Sequence, residues 1–386
     1  MKRVFLIVTD SLGIGAMPDA ERFGDLGTNT LKAIYNKAGF TGENLKKLGI
    51  FNIDGIDFAK GANTPVGAYC RLSEASDGKD TTIGHFEISG VISLKPFPTY
   101  PDGFPDEIIN EFKKRTGRGV LCNKPYSGTE VIKDYGKTHI ETGDLIVYTS
   151  ADSVFQIAAN EDIVPLEKLY EYCKIAREIL QGGHAVARVI ARPFKGEPGN
   201  FYRTSGRHDY SVEPPCDTLL DLMKEKGFDV ISIGKIYDIF AHRGFTEYTY
   251  TTGNTQGMEL NIEMQKKPFK GLCFTNLVDF DMLYGHRNDA LGYAKAAKEF
   301  DEWLPSFMER MKDDDILMIT SDHGCDPSDE STDHSREYTY LLVYGRKIKP
   351  VNLGTRKTFS DIGKTIADIF GISNSLDGES FKEELI

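Results

Sequence analysis

Three apolar runs of this chain end in acidic residues or histidines, and this pattern constrains the fold more than any other feature. The runs cover residues 4–8, 271–278 and 316–320. The residues that follow them include Asp10, Asp281, His286, Asp322 and His323. In an open α/β sheet, ligands bind outside the carboxyl ends of the strands. The sequence therefore predicts that these side chains meet in one site at the edge of a sheet.

The residue types at these positions indicate a site for two metal ions. Carboxylates and imidazoles suit Mn, Zn or Fe better than Ca. With His334, which follows the third run, three aspartates and three histidines are available as ligands. Taken singly, each has an ordinary explanation: Asp10 is also a typical helix cap, and His334 a solvated loop histidine. Asp279, in the same loop as Asp281, is a rival ligand.

A loop between the first and second runs supplies hydroxyl groups. Residues 78–85 read GKDTTIGH, so that Thr81 and Thr82 lie between glycine-containing flanks. A hydroxyl is a weak nucleophile unless a base or a metal activates it. Taken alone, the pair is better explained as a simple turn or a helix cap than as a nucleophile.

Composition and charge limit the possible partners and the compartment. The chain has 386 residues and a formal net charge of −12, which makes nucleic acid and anionic membranes poor partners. Bound divalent cations would still allow a phosphorylated substrate. No apolar run is long enough to span a membrane, and the N-terminus lacks the features of a signal peptide. The six cysteines have no paired spacing, which fits a reducing cytoplasm.

The order of apolar runs and helical periodicities predicts an α/β fold with a mainly parallel sheet. Strands are expected at 2–8, 145–149, 185–191, 229–233, 272–278, 316–320 and 340–343. Helices are expected at 166–181, 217–226, 255–266, 289–311 and 361–370.

Two segments rich in proline interrupt this alternation. One begins at Lys95 and the other runs from Arg192 to Pro215, and both have the composition of linkers. We therefore expect a core domain formed by residues 1–95 and 213–386. Residues 96–212 would form a smaller inserted α/β cap domain.

Taken together, these residues resemble the alkaline phosphatase superfamily and, within it, the phosphopentomutase family. The resemblance extends over the whole chain. The motifs that carry it are VTDSLGIGAMPDA at 8–20, GKDTTIGHFE at 78–87, GEPGNF at 196–201 and RHDY at 207–210. It implies an alkaline-phosphatase-like core with an inserted cap.

The resemblance also implies roles for the site residues. One Mn²⁺ would be held by Asp281, His286 and His334, and the other by Asp10, Asp322 and His323. Thr81 would be the nucleophile that carries phosphate. In the related cofactor-independent phosphoglycerate mutases, the nucleophile lies four residues before the histidine of a Gly-His pair. Counting back from His85 gives Thr81 rather than Thr82.

Substrate contacts are implied by the same resemblance at four positions. They are Ser150, Asp152, Arg188 and Lys235. An arginine suits bidentate binding of phosphate, and a lysine makes a point contact. An aspartate such as Asp152 can bond sugar hydroxyls.

The activity implied is that of a cytoplasmic enzyme for small molecules. It would interconvert α-D-ribose 1-phosphate, and the 2-deoxy sugar, with the 5-phosphate through phosphothreonine. A sugar bisphosphate would prime the enzyme. The main rival is a metal-dependent phosphatase or phosphodiesterase on the same core. A phosphoglycerate mutase and a metal-binding protein without catalysis are further alternatives. The metal, the preferred sugar and the oligomeric state are left open by the sequence.

Overall fold

The computed structural model describes residues 2–150 and 152–386, which divide into two compact units. The first unit joins the N-terminal part of the chain, up to Pro96, with Pro214–Ile386. The second is the continuous segment Phe97–Glu213. Within the described residues, no helix combines the length and the apolar character needed to cross a membrane.

The strands fall into one sheet in each unit. In chain order they are β1 Arg3–Thr9, β2 Ala68–Leu72, β3 Val120–Pro125, β4 Leu145–Thr149, β5 Val154–Asn160, β6 Arg188–Lys195, β7 Tyr202–Arg203, β8 His208–Ser211, β9 Asp229–Ile233, β10 Glu247–Thr249, β11 Gly271–Leu277, β12 Asp315–Thr320, β13 Thr339–Tyr344 and β14 Asn352–Arg356.

The α-helices alternate with these strands. They are α1 Thr30–Ala38, α2 Glu43–Leu48, α3 Thr81–Ile88, α4 Asp106–Thr116, α5 Glu130–Thr142, α6 Leu166–Ile179, α7 Leu219–Glu225, α8 Ile236–Ile239, α9 Asn254–Lys266, α10 Ala290–Glu309, α11 Ser360–Ile369 and α12 Lys382–Leu385. The α/β class predicted from the sequence is confirmed.

The sheet of the first unit has eight strands in the order β10-β9-β11-β1-β12-β13-β2-β14. The five strands from β10 to β12 are parallel, and β13 is antiparallel to both β12 and β2. β1 is buried along its whole length. A strand covered on both faces needs a continuous apolar sequence, which explains the unbroken run at 4–8.

The register of the central strands determines where the site forms. Val8 of β1 lies opposite Asn276 of β11 on one side and Thr320 of β12 on the other. These three parallel strands therefore end at the same level. The residues that follow them share one carboxyl edge of the sheet, as the sequence predicted.

Helix α10 covers one face of this sheet and supplies much of its apolar core. Ala297, Phe300, Leu304 and Phe307 are each at most 1 % exposed. Leu291, near the start of the helix, is in contrast 69 % exposed. The helix begins at Ala290, so Leu291 lies in its first turn and faces solvent.

The second unit has its own sheet and its own core. The strand order is β3-β4-β5-β6-β7, and β8 pairs with β6. Helices α4 and α6 pack on one face, where Phe112, Phe155 and Leu169 are buried. Helix α5 packs on the opposite face through Val131 and Ile132. A three-layer arrangement of this kind gives the segment a hydrophobic core of its own.

The sequence led us to expect a linker in the second proline-rich segment, and the structure shows that it is more than a simple linker. It contains the end of β6 as well as β7 and β8, and β6 lies three to four residues later than predicted. Pro193 is tolerated in β6 because it lies between the part of the strand that pairs with β8 and the part that pairs with β7. Pairing with β8 ends at Ala191, and pairing with β7 begins at Phe194.

Candidate active site

Three predicted ligands lie together just beyond β1 and β12, and we call them the strand-end group: Asp10, Asp322 and His323. Nε2 of His323 lies 3.3 Å from Oδ1 of Asp10 and 3.3 Å from Oδ2 of Asp322. All three side chains are at most 1 % exposed. The common end of the two parallel strands therefore creates a buried cluster of oxygen and nitrogen donors.

Thr81 is the first residue of α3, and its hydroxyl faces the strand-end group. Oγ1 of Thr81 lies 3.1 Å from Nε2 of His323. The helix begins there because the Asp80 carboxylate accepts two backbone N–H groups of the first turn. Gly84 allows the close approach, since a Cβ at this position would lie 2.2 Å from the carbonyl oxygen of Asp322.

The other three predicted ligands form a second cluster, the loop group: Asp281, His286 and His334. Oδ2 of Asp281 lies 3.2 Å from Nε2 of His286, and Oδ1 lies 3.4 Å from Nε2 of His334. Asp281 is part of a π-helical turn, Phe280–Tyr284, that follows β11. The His286 side chain is 38 % exposed, and its Nδ1 bonds the carbonyl oxygen of Thr332 at 2.7 Å.

The two groups are contiguous. The rings of His323 and His334 are stacked with their centroids 3.9 Å apart. Asp281 belongs to both clusters, since its carboxylate, Asp10 and His323 have ligand atoms within 4.8 Å of one another. Asp281 thus occupies the position between the groups.

The donor atoms fit divalent cations. Within the described residues, several deeply buried atoms of the two groups have no hydrogen-bond partner. They are Asp10 Oδ1, Asp281 Oδ1, Asp322 Oδ2 and His334 Nε2. Leaving buried polar atoms unsatisfied costs about 1–3 kcal/mol each, and coordination of a cation removes that cost. Carboxylate oxygens with imidazole nitrogens are a donor set for Mn, Zn or Fe.

The pKa values reflect the crowding of charge in the site. Burial and the neighbouring Asp322 raise the pKa of Asp10. Burial opposes ionisation of Asp281, but the adjacent histidines, His334 foremost, hold the pKa of its carboxyl well below the usual range. Burial also opposes the charged form of His323, yet Asp322 and Asp10 raise its pKa well above the usual value. Positive charge is therefore favoured at this position.

Two residues that sequence reasoning did not select hold the strand-end group in place. Nδ1 of His85 lies 2.8 Å from the carbonyl oxygen of Thr81 and 3.2 Å from Oδ2 of Asp322. The Asn276 amide donates to Oδ2 of Asp10 at 2.9 Å and lies 3.3 Å from Nε2 of His85. The helical spacing of four between Thr81 and His85 was a signal for the first contact.

Asp279, the rival ligand, has a different role. Its Oδ2 accepts the backbone N–H of Asn254 at 2.7 Å, and the Asn254 side chain accepts the N–H of Asp279 at 3.0 Å. This reciprocal pair marks the start of α9. The structure therefore brings Asp281, and not Asp279, to the histidines.

A buried glutamate behind the site was also missed. Oε2 of Glu337 accepts the N–H groups of Gly15 and Thr30, each at 3.0 Å. Oε1 accepts the hydroxyls of Thr30 at 2.9 Å and of Ser335 at 2.7 Å. Glu337 thus ties the segment after β1 to the loop that carries His334. Burial raises its pKa to about 7.

Comparison with known proteins identifies the family. The model of the Metalloenzyme superfamily matches residues 2–374. The phosphopentomutase of Lachnoclostridium phytofermentans is 63 % identical over 386 residues, which cover 100 % of this chain and 99 % of that protein. The phosphopentomutase of Caldanaerobacter subterraneus subsp. tengcongensis is 56 % identical over 100 % of this chain and 98 % of that protein. The chain belongs to the phosphopentomutase family.

Membership of the phosphopentomutase family confirms two predictions made from the sequence, namely the resemblance itself and the assignment as an enzyme of the mutase type. A solved structure, that of PH0037 from Pyrococcus horikoshii, supports the fold. It aligns with a TM-score of 0.51 at 15 % identity and covers 98 % of this chain and 99 % of that one.

In this phosphopentomutase-family chain, the four predicted substrate contacts are divided between the two units, three in the second and one in the first. In the second unit, Ser150 follows β4, and the Arg188 guanidinium lies 4.0 Å from the Asp152 carboxylate and 3.6 Å from that of Asp209. In the first unit, Lys235 follows β9 at the edge where the strand-end group lies, since β9 is parallel to and in register with β11.

Proposed function

We propose that this chain interconverts α-D-ribose 1-phosphate and D-ribose 5-phosphate, and the corresponding 2-deoxy sugars, through a phosphorylated Thr81. The observation that carries the proposal is the 3.1 Å contact between the Thr81 hydroxyl and His323, beside a cluster of buried carboxylates. The family supports the same assignment, because its named members are phosphopentomutases.

Two divalent cations are part of the proposal, with Mn²⁺ as the expected ion. The loop group would hold one, and the strand-end group would hold the other together with Thr81. When bound, the ions would lower the pKa of the hydroxyl and neutralise charge on the phosphoryl oxygens. The same donors also accept Zn, Mg or Co, so availability decides among them.

The reaction consists of two phosphoryl transfers that reverse each other. Phospho-Thr81 gives its phosphoryl group to the free hydroxyl of the sugar monophosphate, and the proton of that hydroxyl ends on the Thr81 oxygen. The products are unmodified Thr81 and ribose 1,5-bisphosphate. After the bisphosphate has turned round, Thr81 Oγ1 takes the other phosphoryl group, which regenerates phospho-Thr81 and releases the isomeric monophosphate. A sugar bisphosphate therefore primes the enzyme.

The position of Thr81 suits a phosphorylated side chain. It lies at the N-terminus of α3, where the helix dipole favours negative charge. Thr81 is 7 % exposed, so little water reaches its hydroxyl. Both properties would lengthen the life of a phosphothreonine that must transfer its group to a sugar rather than to water.

The second unit is proposed to be a cap that contacts the substrate through Ser150, Asp152 and Arg188. Lys235 of the first unit is proposed as a further substrate contact. Pentose phosphates are the expected partners. The net charge of −12 argues against nucleic acid and anionic membranes. Among the described residues the cysteines are free, which agrees with a cytoplasmic location.

A coupled assay tests this function. Ribose 5-phosphate, Mn²⁺ and a catalytic amount of a sugar bisphosphate should yield ribose 1-phosphate. A chelator should abolish turnover, and added Mn²⁺ should restore it. Release of inorganic phosphate is measured in the same samples. If phosphate release exceeds isomerisation, the chain is a phosphatase or phosphodiesterase and the proposal is wrong.

A further inference from the structure

Residues 73–80 connect β2 to Thr81, and we call them the Thr81 loop. The first half of this loop is bonded to α3 itself. Glu87, near the end of α3, is fully buried. Its Oε1 accepts the backbone N–H of Ala75 at 2.8 Å, and its Oε2 accepts that of Ser76 at 2.7 Å. The half of the loop nearest to Thr81 is held by a different group.

That group is a buried arginine. Arg336 is 3 % exposed and lies two residues after His334. Its Nη1 donates to the carbonyl oxygen of Gly78 at 2.6 Å and to Oε2 of Glu74 at 2.7 Å. Its Nη2 donates to the carbonyl oxygen of Glu74 at 3.0 Å. One guanidinium therefore bonds the Thr81 loop at two points.

The same guanidinium also bonds the segment that follows β1. Nε of Arg336 donates to Oδ1 of Asp19 at 3.2 Å, and Nη2 donates to Oδ2 at 3.1 Å. All the N–H donors of the side chain are thus engaged. A lysine has the same charge but lacks the planar fork that reaches several acceptors at once. The arrangement therefore depends on an arginine.

A second connection joins the same two segments. The Asp25 side chain is buried, and its Oδ2 accepts the backbone N–H of Arg336 at 2.8 Å. Its Oδ1 accepts a hydrogen bond from Nζ of Lys79 at 3.0 Å. Nζ of Lys79 also lies 3.7 Å from Oδ2 of Asp333, the residue before His334. Lys79 and the glycine before it are therefore both bonded to the segment that carries His334.

Thr81 is joined to this part of the loop by one residue, which is itself fixed. The Asp80 carboxylate accepts the backbone N–H groups of Thr82 at 3.0 Å and of Ile83 at 3.2 Å. Little freedom remains between the bonds of Arg336 and the Thr81 hydroxyl. A displacement of the guanidinium would therefore displace the hydroxyl as well.

We propose that Arg336 is a positioning residue for phosphoryl transfer, which sets the place of the Thr81 hydroxyl relative to the loop group. The inference rests on the proposed function, in which Thr81 exchanges a phosphoryl group. Such a transfer needs closely aligned atoms, and a misplacement of about 1 Å can lower the rate about 100-fold. The side chain of Arg336 bonds the Thr81 loop and Asp19, so it acts through the loop rather than on the reacting atoms.

The test uses the full-length, Mn²⁺-loaded enzyme and the variant Arg336→Lys. Lysine keeps the charge beside Glu74 but cannot bond Gly78 and Asp19 together. The single-turnover rate of Thr81 labelling by a sugar bisphosphate should fall by about 100-fold, and kcat for ribose 5-phosphate should fall with it. Equilibrium binding of ribose 5-phosphate and the occupancy of both metal sites at saturating Mn²⁺ should stay as in the wild type.

The matched control is Arg3→Lys. Arg3 is 1 % exposed, and its guanidinium bonds Asp315 at 2.6 Å and the carbonyl oxygen of Gln265 at 2.9 Å. It is the first residue of β1, whereas the strand-end group lies beyond the other end of that strand. Both variants should lose thermal stability, because each breaks the fork of a buried arginine. Only Arg336→Lys should slow the labelling of Thr81.

A milder variant, Asp25→Asn, keeps the inference testable if Arg336→Lys does not fold. The amide oxygen can still accept the N–H of Arg336, but the ion pair with Lys79 is lost while both cations remain. Labelling of Thr81 should slow by about 10-fold, the low end of the loss typical of residues that orient others. Normal labelling in this variant would contradict the second connection and, with it, the proposed coupling.

Failure of this inference and failure of the proposed function give different results. If the wild type does not isomerise ribose 5-phosphate, the function is wrong and the inference falls with it. If the wild type isomerises and Arg336→Lys labels Thr81 at the normal rate, the inference alone is wrong. Equal slowing in Arg3→Lys would also overturn it, because the effect would then follow from a general loss of stability.

Discussion

The strand-end group and the loop group contain the same chemical types but are supported differently. The strand-end residues follow regular parallel strands, are at most 1 % exposed, and are held by His85 and Asn276. The loop group depends on a π-helical turn and on a loop, and the His286 side chain is 38 % exposed. Regular strand ends thus fix the donors beside Thr81, the proposed nucleophile, whereas irregular backbone carries His286, the partly exposed donor.

This difference has a functional meaning. A donor set that must align a hydroxyl with a phosphoryl group needs tight positional control. A set with one partly exposed member, His286, is suited to exchange of ions and ligands. We therefore expect substitutions in and around the strand-end group to damage chemistry more than those in the loop group.

The largest effect is expected at the proposed nucleophile. Thr81→Ala should lower turnover by at least about 10³-fold, because it removes the hydroxyl proposed to carry the phosphate. After incubation with a sugar bisphosphate, mass spectrometry should find the label on Thr81. Thr82→Ala, the adjacent control, should keep the label. A label on Thr82 or on a serine would show that our nucleophile is wrong.

The next largest effect comes from comparing one histidine of the strand-end group with one of the loop group. His323→Ala should reduce kcat more than His286→Ala does, since His323 contacts Thr81 as well as Asp10 and Asp322. The loss should exceed the 10- to 100-fold typical of residues that only orient ligands. Turnover at saturating Mn²⁺ and bound metal are measured for each variant. His242→Ala, an exposed histidine paired with Asp238, is the control. Equal losses would remove the distinction between the groups.

A smaller effect is expected in the residues that support the strand-end group. Asn276→Ala removes the donor to Asp10 and should weaken Mn²⁺ binding by about 10- to 100-fold at one of two sites. Titration of the metal-free protein, followed by electron paramagnetic resonance, resolves the two affinities. Asn254→Ala removes another buried asparagine, whose side chain accepts the N–H of Asp279 at the start of α9, and should leave both affinities unchanged. Two weakened sites would mean that the groups do not act separately.

The smallest effect concerns stability, at the glutamate that joins the backbone behind both groups. Burial raises the pKa of Glu337 to about 7 from 4.5, so the folded state retains a proton that the unfolded state has lost. This contribution to stability is complete below pH 4.5 and is lost as the pH rises through 7. It amounts to about 3 kcal/mol.

Glu337→Gln tests this linkage. The amide keeps an acceptor for the N–H groups of Gly15 and Thr30 and offers donors to the hydroxyls of Thr30 and Ser335. Chemical denaturation between pH 4.5 and 8 gives the free energy of unfolding of wild type and variant at each pH. The two plots against pH should diverge, because the free energy of unfolding of the variant should depend less on pH. Parallel curves would mean that the carboxyl titrates normally.

Much of the site followed from the sequence because strand ends leave a local signal. Asp10, Asp322 and His323 adjoin apolar runs, and a parallel sheet brings such positions together whatever the details of packing. The choice of Thr81 over Thr82 needed the resemblance to a family. In the structure it depends on the first turn of α3, where Thr81 and not its neighbour contacts His323.

What the sequence did not reveal depends on contacts between distant segments. In the sequence, Asn276 is not distinguished from the other residues of an apolar strand. Its hydrogen bond to Asp10 depends on the register of β1 against β11. Glu337 gives no local signal for its contacts with Gly15 and Thr30, which lie some 300 residues away in the chain. Strands such as β5 were missed for a related reason. Val154–Asn160 has no alternating pattern, because it is buried on both faces.

The order of strands in the first sheet also bears on synthesis. β1 is made first, but both of its neighbours, β11 and β12, begin more than 260 residues later. At about 5–20 residues per second, its apolar residues wait roughly ten to fifty seconds for a partner. The continuous segment Phe97–Glu213 can fold during that interval. During that interval a nascent chain of this protein therefore carries an unpaired hydrophobic strand, the kind of segment that chaperones on the ribosome bind.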